Sequence, residues 1–120
     1  MYVRELHVQY RLREVSSLWT PPDRLLAPKD AALAFMHLLQ HEAVEVCGMF
    51  CLSTRHHVLA YHELSRGTAD AALVHPREVF KVALLANATA LILGHYVARH
   101  IMRLMCPTAL CGSVVECRTL

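Results

Sequence analysis

The stretch Thr89–His95, TALILGH, limits the fold of this chain more than any other. Its apolar run does not alternate and is too short for an ordinary helix, which fits a central strand buried on both sides. Directly upstream, AALVHPREVFKVALLANA reads as a third short strand feeding a helix. His75 sits before the helix start and Pro76 takes the first helical position, where its missing N–H costs nothing. Glu78 in the first turn complements the positive end of the helix dipole. Phe80, Ala83, Leu84 and Asn87 fall on one helical face. A strand, helix, strand succession implies a crossover connection within one sheet.

The rest of the chain completes a mixed α and β architecture. VRELHVQYRL alternates with a period of two through Val3, Leu6, Val8, Tyr10 and Leu12, which predicts a half-exposed strand. TPPDRLLAP then breaks regular structure with its prolines. Asp30 is the expected N-cap of a helix through DAALAFMHLLQHE, ending near Glu42. EVCGMFCLS and RHHVLAYHELS read as the two strands of a hairpin, joined by a turn at Ser53 to His56. Gly67 and Thr68 mark the next turn. In the last part of the chain, RHIMRLM suits a short amphipathic turn against the sheet.

A chain of 120 residues, 55% of them hydrophobic, holds one modest domain with a self-supporting core. The formal net charge of +2 indicates neither nucleic acid nor an anionic membrane, because Arg4, Arg11, Arg13, Arg77, Lys81 and Arg99 are dispersed. No stretch approaches the roughly 18 to 20 apolar residues of a membrane helix, and the start lacks a signal peptide's apolar core. The 5 cysteines form no regular framework, which suits a reducing, cytoplasmic setting. Cys47 and Cys51 are read as core residues. His56 and His57 are expected in solvent at the hairpin turn, and His62 and His75 in local hydrogen bonds to backbone. His100, Cys106, Cys111 and Cys117 are spaced like no zinc ribbon or finger.

Four segments then carry a family resemblance. EVCG, ELSRGT, VHPREVFK, and NA followed by an apolar strand ending in His occur in order between Glu45 and His95. This stretch resembles the JAB/MPN domain of the RadC-type proteins, and YRLREV with PKDAALAFM resembles it more weakly upstream. The expected fold class is accordingly α/β (α+β), an MPN/JAB-type central mixed sheet flanked by helices, incomplete at its C-terminal side. The expected division is an N-terminal strand and proline-rich connection over 1–28, a RadC-like core over 29–95, and a divergent tail over 96–120.

The resemblance implies a zinc-dependent hydrolase of the metallopeptidase or isopeptidase type. In that family a His-x-His pair and a later Asp hold one Zn²⁺, and a Glu from an early strand takes a proton from the metal-bound water. Glu45 stands at the position of the catalytic Glu, and His95 at that of the first zinc-binding His. Beyond His95 the pattern departs. Tyr96 and Val97 replace the Asn and the second His, and no Asp or Glu occurs between His95 and Glu116. Two of three protein ligands are missing, so the expectation is a truncated or frame-altered copy with impaired activity, its sheet left with an open edge. The alternative is a protein-interaction module that keeps the fold and not the metal, associating with itself or another protein through uncovered sheet. A DNA-repair association is the third reading.

Overall fold

The computed structural model describes residues 1–15, 20, 22–67 and 74–97, and the backbone of 101–105 and 114–118. Helix α1 is Pro28–Leu39, and strands β1 and β2 are Val46–Leu52 and Val58–Arg66. Helix α2 is Pro76–Leu85, followed by β3 (Ala90–Tyr96), β4 (Ile101–Met105) and β5 (Val114–Arg118). One sheet runs in the order β2-β1-β3-β4-β5, and each pairing in it is antiparallel. The fold is α+β, as expected, with antiparallel ladders in place of a mixed sheet.

Strand β1 is the axis of the domain, buried at each of its residues. The two-residue period of a strand sends alternate side chains to opposite faces. Val46, Phe50 and Leu52 pack with Ala31, Phe35 and Leu39 of α1. Cys47, Met49 and Cys51 pack with Val79 of α2 and with Leu93. One helix therefore covers each face. The chain leaves β2, passes through α2 and returns as β3 on the far side of β1, a crossover within one sheet.

Several local expectations shift. Residues 1–15 form neither helix nor strand, and their apolar side chains lie exposed. Alternation alone does not make a strand; a ladder partner is needed to satisfy the backbone. Helix α1 begins earlier than expected, with Pro28 in its first turn and Ala27 as N-cap. Asp30 acts three residues inside, its Oδ2 accepting the Ala27 N–H at 3.2 Å. The helix stops at Leu39, where Gln40 caps it through an N–H donated to the Met36 carbonyl at 2.8 Å.

His75 caps α2 through its backbone carbonyl, with no side-chain cap bond. The buried side of α2 is Val79 and Ala83, while Phe80 and Leu84 are 48% and 76% exposed. Asn87 leaves the helix with φ 55°, the left-handed geometry that Asn tolerates. The short strand expected before α2 falls largely on 71–73, outside the described residues. The expected turn at 101–105 is instead β4, whose backbone pairs with β3 and fills the edge that was expected to stay open.

Candidate functional site

The site lies where β1 begins and β3 ends. Antiparallel pairing places Val46 opposite Tyr96 and Cys47 opposite His95, which brings Glu45 beside His95 although they are far apart in sequence. The Glu45 carbonyl is fixed by the Gly67 N–H at 2.7 Å, and Gly67 supplies the positive φ, 75°, that this turn requires. His95 Nε2 lies 3.3 Å from Glu45 Oε2, and the imidazole is nearly enclosed at 5% exposure. Glu45 Oε2 is buried and completes no aligned hydrogen bond, so the pair is a close contact. The structure thus unites the two residues that the sequence pattern singled out.

The neighbouring groups limit the chemistry. Cys47 is buried beside His95, and burial pushes its thiol up to about 11. A thiol held protonated at neutral pH is a poor nucleophile. Cys51 is buried and shifted upward for the same reason, and both are free thiols. Tyr96 turns to the other face, where it is buried in the α1 core and its hydroxyl meets the Gln40 carbonyl at 3.5 Å. Val97 comes two residues after His95, where the strand period would return a second imidazole to the site, and it offers no donor atom. Among the described residues no group of three His, Cys, Asp or Glu side chains can hold a metal ion. A Zn²⁺ site needs three protein ligands around an open position, and the described residues do not supply that set. The tail residues His100, Cys106 and Cys111 lie outside the described residues, and nothing is described of the Cys117 side chain.

An ionic cluster braces the same end of the sheet. Glu42, in the loop leading to Glu45, receives Arg66 Nη1 at 2.6 Å and Nη2 at 3.1 Å. Arg66 also reaches Glu63 Oε1 at 2.6 Å, and Arg13 Nη2 approaches Glu42 Oε1 at 3.4 Å. The hydrogen bond from Arg66 holds the Glu42 carboxyl below its ordinary range. Sequence reading gave no signal for this cluster, since Glu42 and Arg66 are 24 residues apart and no motif joins them. His56 and His57 are exposed at the hairpin turn, as expected, with His57 Nδ1 3.1 Å from the Asp23 carbonyl.

A helix on each face of an antiparallel sheet, with a Glu at the start of the central strand facing a His at the end of its neighbour, defines a JAB-type domain. The RadC-like JAB domain model matches residues 25–100, and the chain belongs to that family. It is 46% identical over 89 residues to a UPF0758 protein of Pseudomonas fluorescens (strain SBW25), covering 74% of this chain and 37% of the relative. A UPF0758 protein of Thioalkalivibrio sulfidiphilus (strain HL-EbGR7) is 43% identical over 83 residues, 69% of this chain and 37% of the relative. A third, from Pseudomonas entomophila (strain L48), is 55% identical over 58 residues, 48% of this chain and 26% of the relative. The chain thus spans little more than a third of the first two relatives.

Proposed function

We propose that this chain is a RadC-like JAB domain of zinc-hydrolase descent in which peptide or isopeptide hydrolysis is impaired. The observation that carries this reading is the Glu45–His95 contact at 3.3 Å, with no third ligating side chain grouped with it among the described residues. One imidazole and one carboxylate do not hold zinc against water, because useful affinity comes from several ligands fixed together. On this reading Glu45 keeps the position of a general base and His95 that of a ligand, in a ligand set left incomplete among the described residues. The free, buried Cys47 and Cys51 are in keeping with work in a reducing cytoplasm.

The test is zinc content per chain after purification in zinc-supplemented medium, together with hydrolysis of isopeptide-linked substrates. The expected result is zinc far below one ion per chain, unchanged in His95→Ala, with no turnover. Stoichiometric zinc that disappears in His95→Ala, with turnover lost in Glu45→Gln, overturns the reading.

The second reading, a protein-interaction module without catalysis, draws support from the exposed Phe80 and Leu84 on α2. Apolar side chains that a helix turns away from its own core are common where another protein docks. A defined oligomer or protein partner in a sizing or cross-linking experiment, with no zinc bound, is the outcome it expects.

A further inference from the structure

The N-terminal arm and the outer edge of β2 have complementary deficiencies. In the arm, Leu6, Val8, Tyr10 and Leu12 alternate with Glu5, His7, Gln9 and Arg11, so an extended arm carries one apolar and one polar face. That apolar face is uncovered: Leu6 is 81% exposed, Tyr10 65% and Leu12 99%. Strand β2, for its part, is hydrogen-bonded to β1 on one side. Among the described residues its other side meets the chain only at the Arg24–His57 bridge, just before the strand begins. A free ladder of this kind is a template for strand addition.

Length and tether decide which strand fills it. Ten extended residues, Val3 to Leu12, span about 33 Å, and the nine of β2 span about 30 Å, at roughly 3.3 Å per residue. Arg13, at the base of the arm, is held with its guanidinium 5.7 Å from the centroid of the Tyr61 ring and its Nη2 3.4 Å from Glu42. Tyr61 lies near the middle of β2. The same guanidinium meets the Leu38 carbonyl at 3.4 Å, which ties the base of the arm to the α1 side, and among the described residues the arm pairs with no strand of its own chain. A second copy carries no such limit. We propose that the arm of one copy adds to the outer edge of β2 in a second copy, and that the reciprocal exchange closes a two-fold dimer. The inference does not depend on whether zinc binds.

The experiment is light scattering of the full chain and of Val8→Pro, with hydrogen exchange over Val58–Arg66. Proline removes a ladder N–H from the middle of the arm, outside every helix and strand of the fold. The full chain, of 13.5 kDa, is expected to run as a dimer near 27 kDa with protected outer amides on β2. Val8→Pro is expected to be a monomer with the same far-ultraviolet circular dichroism and faster exchange along β2. A monomeric full chain overturns the proposal, whether its arm is protected, which would mean pairing within one chain, or unprotected. A dimer that survives Val8→Pro with unchanged exchange overturns it as well.

Discussion

At Gly48 the fold depends on the absence of a side chain. A Cβ placed there would lie 2.6 Å from Tyr61 Cε2 and 2.7 Å from the Tyr61 hydroxyl oxygen. The ring has no easy retreat, being packed edge-on against Phe35 and Phe50 with centroids 6.4 and 5.6 Å away. Gly48→Ala is therefore expected to destabilise the domain by about 1–3 kcal/mol, read as a lower denaturant midpoint at constant slope. The Tyr61 hydroxyl is buried without a hydrogen-bond partner among the described residues. In the same assay, Tyr61→Phe should be neutral or stabilising by up to about 1 kcal/mol, and a loss above that would mean the hydroxyl has a partner. Gly48 stood out in the sequence as part of EVCG, but its physical reason did not, because the ring that needs the space comes from the neighbouring strand.

At the scale of elements, α2 shows where periodicity reads correctly and where it does not. Its start was legible: His75 before Pro76, with Glu78 in the first turn, is a local arrangement fixed by proline and the helix dipole. Its buried side was not. Phe80, Ala83 and Leu84 share a face by spacing, yet the sheet receives Val79 and Ala83 while Phe80 and Leu84 turn outward. A short helix rich in apolar residues offers two overlapping stripes, and only the sheet beneath it chooses between them. Val79→Ala is expected to cost about 1–2 kcal/mol, while Leu84→Ala, though it removes more carbon, should stay within about 0.5 kcal/mol. The reverse order in thermal or denaturant unfolding would restore the face read from spacing. The N-terminal segment fails for a related reason: its alternation was legible, and the partner that would make it a strand lies outside its own sequence neighbourhood.

For the whole molecule, the decisive fact is that β1 is buried on both faces, and this places a thiol at the centre of the domain. Strand β1 and the end of β3 were legible because burial leaves a continuous apolar signature, and β2, only partly buried, was legible from its β-forming residues after a polar turn. The pairing of Glu45 with His95 was legible only through the family's motif order, since no spacing rule connects the ends of two strands. What the sequence did not reveal is the thermodynamic consequence of burying the Cys47 thiol on β1. Burial raises the Cys47 thiol from an ordinary value of 9.0 to about 11. A group whose folded value is raised gives stability that is full below pH 9 and lost as the pH climbs through about 11. That shift corresponds to roughly 2–3 kcal/mol, enough to matter against a marginal total of about 5–15 kcal/mol. Tyr61, pushed up to about 12 by burial, adds in the same direction at still higher pH. Unfolding free energy measured from pH 8 to pH 11 should therefore fall in the parent chain and fall less in Cys47→Ala. The comparison is internal to each variant, so the constant loss from the missing side chain cancels. Equal alkaline slopes in the two chains would show that the thiol ionises as readily in the folded domain as in the unfolded chain, and that β1 is not sealed at this end.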